Sequence, residues 1–327
     1  MTEATLIFAW KSIANNYPDA SFDLLKKSKY MKNVNILVPL DFSELSLKAL
    51  EAAGVFAELF DGAITPFHSF ISLSDVELPD TAASDSITIE HEELEKKLLN
   101  KLNQVAAKKV DAKYLNEGLV QVGNPSEAIV EAARDFDLVV MTTHGRTGFS
   151  RLIMGSVAEK VIRFAPVPVV VVEESSKIKP LKKILLTTDF SDYSLKAVPF
   201  ARSIAEASGA RLDIVHVISF EQFGSIPQIQ AATDTRKKQM RELVDERFDD
   251  MRDQVSTDVV STRKSIHEKI TKISEDGGYN LIVMATIGRT GLEYLRLGST
   301  ASNIVRHVET AVFTINPRRL KGADRQE

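Results

Sequence analysis

The residues best suited to chemistry form a glycine–serine pattern that occurs twice. Nine residues separate Gly145 from the pair Gly155-Ser156, and the same spacing returns between Gly288 and Gly298-Ser299. Glycine admits positive φ and lets a ligand approach the backbone closely. A glycine–serine pair that opens a helix presents unpaired N–H groups with the helix dipole behind them. Such a loop can wrap a phosphate chain. The same residues also make a plain tight turn followed by a helix, with Ser156 as cap and Glu159 closing a capping box. Recurrence at the same relative place favours a ligand, because a turn alone needs no fixed spacing.

Asp41 and Asp189 each end an apolar run and open an Asp-Phe-Ser sequence. A carboxylate there can accept from a ligand amino or hydroxyl group, or it can hold the turn and cap the next helix. His68 and His216 also correspond between the copies. Neither has an acid or nucleophile beside it in sequence, so a histidine bonded to backbone is the favoured reading over catalysis. His144 stands where the second copy has Ile287, which argues against a required general base.

Whole classes of chemistry are excluded. The 327 residues include no cysteine, which removes disulfides, thiol catalysis and cysteine-ligated metals. The histidines show no metal-binding spacing. Walker, dinucleotide-binding and nucleophile-elbow motifs are missing. A formal net charge of -4 lacks the basic excess of a nucleic-acid binder. No apolar run has the length of a membrane span. Leu6–Trp10 is apolar but short, and no signal peptide is read there.

Positioning these residues requires elements, and the chain repeats them. Asn35–Ala49 matches Lys183–Ala197, and Gly145-Arg146-Thr147-Gly148 matches Gly288-Arg289-Thr290-Gly291. The chain therefore reads as two copies of one domain of roughly 145 residues. The expected organisation is an N-terminal extension at 1–31, domains at 32–174 and 183–317, a linker at 175–182 and a tail at 318–327. Residues 1–30 are either a true extension or precede a start at Met31.

In the first copy, Val34–Leu40, Ala63–Phe70, a segment ending at Val122, Leu138–Thr142 and Val167–Val172 read as strands. A helix capped by Ser43 runs to Phe60 and ends at Gly62. Ser72–Ile87 reads as a polar connection. Glu90–Lys108 is predicted helical, its acidic start a solvated face. Asn124 caps another helix, with Pro125 first and Glu127 closing a box. Strands alternating with helices predict a parallel sheet covered on both faces, with ligands at the carboxyl ends of its strands.

These features together resemble the universal stress protein family in its tandem two-domain form, over roughly residues 32–317. The resemblance implies an α/β fold of two repeated domains. Each is a five-stranded parallel sheet of order 3-2-1-4-5 with helices on both faces, adenine-nucleotide alpha hydrolase-like. ATP-binding members carry Gly-x2-Gly-x9-Gly-Ser/Thr. Here the copies read Thr142-x2-Gly145-x9-Gly155-Ser156 and Ala285-x2-Gly288-x9-Gly298-Ser299, each without the first glycine.

By resemblance, Pro39, Leu40 and Asp41 line the adenine end, and Ser69 stands where many members have a valine beneath the base. Met141 and Thr142 lie near the ribose. Gly145, Gly155, Ser156 and Val157 hold phosphates, and Gly123 shapes the pocket. In the second copy Asp189, Val217, Gly288, Gly298, Ser299 and Thr300 match, whereas Thr187, Lys264, Ile266 and Ser302 depart from Pro39, Gly123, Pro125 and Glu159. The first copy is the stronger candidate.

The implied function is a cytoplasmic stress-response regulator or interaction protein that binds an adenine nucleotide, ATP foremost, with Mg2+ as companion ion. No catalytic residue and no protein metal ligand are assigned. The implied partners are the nucleotide, an unidentified protein and a second copy of the chain. The two domains are expected to pair as a pseudo-dimer through antiparallel Val167–Val172 and Ala311–Ile315. Neither nucleic acid nor membrane is expected. Two alternatives stand beside this reading: a slow ATPase or adenylyl-transfer enzyme, and a nucleotide-free scaffold.

Overall fold

The computed structural model describes residues 31–71, 84–143, 154–288 and 297–320, with residues 84–91 as backbone only. The expectations for residues 1–30, for His144 and Gly145–Gly148, and for Arg289-Thr290-Gly291 lie outside the described residues.

Ten strands form one sheet. They are β1 (Asn35–Pro39), β2 (Ala63–Phe70), β3 (Leu119–Val122), β4 (Leu138–Thr142) and β5 (Val169–Val172), then β6 (Lys183–Thr187), β7 (Arg211–Ser219), β8 (Val255–Thr262), β9 (Leu281–Ala285) and β10 (Ala311–Ile315). The order is β3-β2-β1-β4-β5-β10-β9-β6-β7-β8. Each half is thus a parallel sheet of order 3-2-1-4-5. The halves join where β5 and β10 pair antiparallel, with Phe313 opposite Val170. The β5 and β10 edges that the separate halves would expose are thereby hydrogen-bonded to each other, and β3 and β8 remain the outer edges.

The helices of the first half are α1 (Glu44–Phe60), α2 (Ser84–Ala107), α3 (Pro125–Ala132) and α4 (Ser156–Phe164). Those of the second are α5 (Asp192–Leu195), α6 (Val198–Ser208), α7 (Ile226–Arg247), α8 (Ile266–Gly277) and α9 (Ser299–His307). The central strands bury both faces because successive side chains point to opposite sides. Ile36, Val38, Val170 and Val172 join one core with Leu50 and Phe56 of α1 and Phe200 and Ile204 of α6. Leu37, Val139, Val169 and Val171 join the other with Ile129 of α3, Val161 of α4 and Ile304 of α9. Both cores run through both halves.

Four local expectations are corrected. Asp61, not Gly62, takes the left-handed C-cap conformation of α1, at φ 51°. Gly62 is needed for contact instead: a Cβ there would lie 2.4 Å from the Val34 carbonyl oxygen. The helix predicted from Glu90 starts at Ser84, so Ser84–Ile87 is not a connection. The polar residues Ser84-Asp85-Ser86 that open it hide the 3.6-residue period by which a helix is read. At α3, Asn124 accepts from Ser126 N–H at 3.1 Å and from the Ser126 hydroxyl at 2.7 Å, so the expected box with Glu127 does not form. The fourth correction, at α4, belongs to the site.

Candidate functional site

The site lies where the strand order reverses, at the carboxyl ends of β1 and β4. β1 ends in a tight turn. Asp41 Oδ1 accepts from Ser43 N–H at 3.0 Å and from the Ser43 hydroxyl at 2.6 Å. Ser43 in turn caps α1 by accepting from Ser46 N–H at 3.1 Å. Between them Phe42 sits at φ 65°, a region bulky residues seldom enter, at a cost of roughly 1–3 kcal/mol. Its ring rests on His68, with centroids 4.5 Å apart. His68 Nδ1 lies 2.7 Å from the Leu40 carbonyl oxygen. A carbonyl only accepts, so Nδ1 carries the proton. The turn that presents Asp41 is therefore braced by an aromatic pair and a fixed imidazole. The histidine is bonded to backbone, as its sequence context predicts.

The second half repeats this bracket. Phe190 lies at φ 60°, its ring centroid is 5.2 Å from that of His216, and His216 Nδ1 is 2.8 Å from the Thr188 carbonyl oxygen.

At the end of β4 the Thr143 carbonyl accepts from Gly155 N–H at 2.9 Å. Gly155 is the cap residue of α4, and no side chain caps that helix. This corrects the expected Ser156–Glu159 box. Ser156 is the first helical residue and is exposed, and no side chain pairs the first-turn amides, which carry the helix dipole behind them. Glu159 instead pairs with Arg306 of the second half at 3.7 Å.

Between the β1 turn and α4 lies a cavity of about 240 Å³. It is lined by Pro39, Leu40, Asp41, Ser69, Met141, Thr142, Gly155, Ser156 and Val157, all singled out in sequence. It is also lined by Ser46, Phe67, His68, Pro125, Ile129, Thr143 and Ala158, which were not assigned to it. Two of these had a readable signal, since Pro125 and Ile129 are four apart and share one face of a helix. Gly123 is not in the lining; it makes the turn before α3 at φ 140°. Gly145 lies outside the described residues. Leu40, Phe67 and Met141 give the inner wall an apolar character, and the outer end is the polar start of α4. Among the described residues no group of three or more acidic or imidazole side chains could hold a metal.

The second half differs at the same place. Asp189 Oδ1 accepts from Ser191 N–H at 2.9 Å, and its Oδ2 lies 2.4 Å from where a Cβ on Gly288 would stand. The Asp189 carboxylate is thus packed against the backbone that follows β9. Gly298 caps α9 without a side chain, Ser299 is exposed, and Val217 is buried. Near Lys264, Ser265 and Glu268 form a full capping box at the start of α8, a Ser-x-x-Glu signal that the sequence contained and the reading of Ile266 passed over.

The model of the universal stress protein family matches residues 33–173 and again 180–316. A universal stress protein of Methanocaldococcus jannaschii is 35% identical over 150 residues, covering 43% of this chain and 83% of that protein. One from Mycolicibacterium smegmatis is 23% identical over 289 residues, 86% of this chain and 97% of the other. Among solved structures, a universal stress protein from Archaeoglobus fulgidus superposes with a TM-score of 0.59 at 21% identity, over 89% of this chain and 98% of that one. That last likeness is one of fold.

Proposed function

The chain belongs to the universal stress protein family, and from that premise we propose that its first half binds an adenine nucleotide, ATP foremost, as a stress-response regulator or interaction protein rather than an enzyme. The observation that carries the reading is the cavity whose apolar end suits a base and whose outer end is the uncapped start of α4. A helix start without a side-chain cap leaves its first amides for an anion. The motif resemblance supplies the adenine nucleotide as the ligand class. The non-catalytic part of the proposal is supported by Asp41, whose carboxylate is engaged in holding the turn. Among the described residues no helix is long and apolar enough to cross a membrane. The cytoplasmic location and the pairing of whole chains belong to the same proposal.

Two measurements test it. Nucleotide released from denatured, freshly purified protein is expected at about one adenine nucleotide per chain under mass-action retention, read by liquid chromatography and mass spectrometry. None, together with no heat on titrating ATP, favours the scaffold alternative. Second, Gly155→Asp places a carboxylate where phosphate would sit, yet aspartate is among the best N-cap residues. ATP affinity is expected to fall by about tenfold or more while the melting temperature holds or rises. Unchanged affinity would remove α4 from the site.

A further inference from the structure

The two ends of the β5–β10 join are built alike but carry opposite charge. After β5 the chain runs Glu173-Glu174-Ser175-Ser176, and after β10 it runs Asn316-Pro317-Arg318-Arg319. A lysine pins each turn. Lys48 of α1 donates to the Glu174 carbonyl at 2.6 Å, and Lys196, the C-cap of α5, donates to the Pro317 carbonyl at 3.0 Å. The fold closes the first turn in the same way with acidic residues, so packing does not explain why the second turn is basic.

Three arginines gather at that second turn, and aromatic rings hold them. The Arg318 guanidinium carbon lies 5.0 Å from the Tyr193 ring centroid, and its Nε donates to the Tyr193 hydroxyl at 3.2 Å. Arg163, half-buried in the last turn of α4, lies 4.3 Å from the Phe164 ring centroid. Arg319 lies 5.7 Å from the same centroid. The Asn316 side chain ties the segments together, donating to the Arg163 carbonyl at 2.6 Å and accepting from Arg318 N–H at 3.2 Å. A ring face holds a guanidinium without neutralising it, and the forked N–H donors stay suited to a phosphate.

The repeat shows which acid is missing. Arg306 stands in α9 where Arg163 stands in α4, and it pairs with Glu159 across the join at 3.7 Å. The residue of α9 that corresponds to Glu159 is Ser302, so Arg163 lacks the matching acid. Among the described residues neither Arg163 nor Arg319 pairs with a carboxylate. Like charges gathered at one turn repel, and an anion among them relieves that repulsion.

We propose that this end of the join binds a small phosphate-class anion of two or more negative charges, held by Arg163 of the first half and by Arg318 and Arg319 of the second. Guanidinium forks match phosphate oxygens in pairs. The site exists only where the halves meet. None of its residues lines the first-half cavity, and the inference stands apart from the nucleotide reading.

The test is calorimetric titration of inorganic triphosphate into full-length protein at low ionic strength, where exposed charges are least screened. The wild type is expected to bind it. Gly155→Asp, which blocks the start of α4, is expected to bind it within about twofold of the wild type. The double variant Arg163→Gln, Arg319→Gln is expected to bind about tenfold or more weakly. Ser302→Glu supplies the missing acid while keeping every arginine, and a loss of similar size is expected there. No binding by the wild type, loss of binding in Gly155→Asp, or unchanged affinity in the double variant overturns the proposal. Should the double variant fail to fold by circular dichroism, Ser302→Glu carries the test, and unchanged affinity there overturns the proposal equally. A wild type that binds triphosphate but no ATP removes the nucleotide reading and leaves this one standing.

Discussion

Asp213, on β7, is 7% exposed, yet it is charged and well partnered. It accepts from Arg211 Nε at 2.8 Å, from the Tyr279 hydroxyl at 2.7 Å and from the Ser256 hydroxyl. Burial alone pushes its carboxyl up, and the hydrogen bonds from Ser256, Arg211 and Tyr279 outweigh that, bringing it below the ordinary value of 3.8. Burial and the bond to Asp213 push the Tyr279 hydroxyl the other way, well above its ordinary range. The folded carboxyl value is depressed, so its stabilising effect is complete above the ordinary value and is lost as pH falls through the folded one. Replacing Asp213 with Asn is expected to destabilise by roughly 2 kcal/mol at neutral pH, less than a fully buried pair, because Arg211 can reach water once released. Urea denaturation of both proteins at neutral pH and near pH 3 checks it. The difference should shrink in acid, and a constant difference would show that the charge is not what stabilises. Of its partners only Arg211, two residues earlier on β7, is legible in sequence; Ser256 lies on β8 and Tyr279 in the segment before β9.

At the scale of elements, helix starts divide into those sealed by a side chain and those left open. Ser43, Asn124, Ser191 and Ser265 seal theirs. Gly155, Ala197, Ser225 and Gly298 do not, and the two glycines occupy the same place in the two copies. The sealed ends serve stability, and the expected loss for Ser265→Ala is about 1 kcal/mol, since it removes the cap and its box with Glu268 together. Thermal melts at fixed pH measure this, and a change within error would mean that water replaces the box without loss. The open end of α4 is instead where a ligand can act. The helix of α4 was legible in the sequence, and the Ser156 capping expectation failed for a simple reason. Serine serves as cap only when it precedes the first helical residue, and here Gly155 holds that position.

At the scale of the molecule, the join between halves is a core as well as a strand pair. Phe313 of β10 is fully buried. Its ring centroid is 6.1 Å from that of Phe56 on α1 and 5.7 Å from that of Phe200 on α6. One aromatic side chain therefore packs against a helix from each half. Phe313→Ala is expected to cost about 3–5 kcal/mol and to lower the stability of both halves together. Hydrogen exchange followed by mass spectrometry reads this directly: faster exchange in β1 and β6 alike supports a shared core, whereas loss confined to the second half would show two independent units. The same join brings Glu159 of α4 to Arg306 of α9, and at its edge Glu173 accepts from the Thr143 hydroxyl.

By itself the sequence determined the repeat, the alternation of strands with helices, the parallel arrangement within each copy and the loops that bear the glycine–serine pattern. These follow from periodicity and spacing, which are properties of short stretches of chain. The family resemblance carried by that pattern also located much of the cavity, naming Pro39–Asp41, Met141–Thr142 and Gly155–Val157. Only the tertiary structure placed Glu173 against Thr143, brought Ser256 and Tyr279 to Asp213, packed Asp189 against Gly288 and set Phe313 between two helices. Each of these joins residues far apart along the chain or separated by a turn. Which side chains meet there depends on strand order and register, and a shift of one residue would turn each to the opposite face of the sheet.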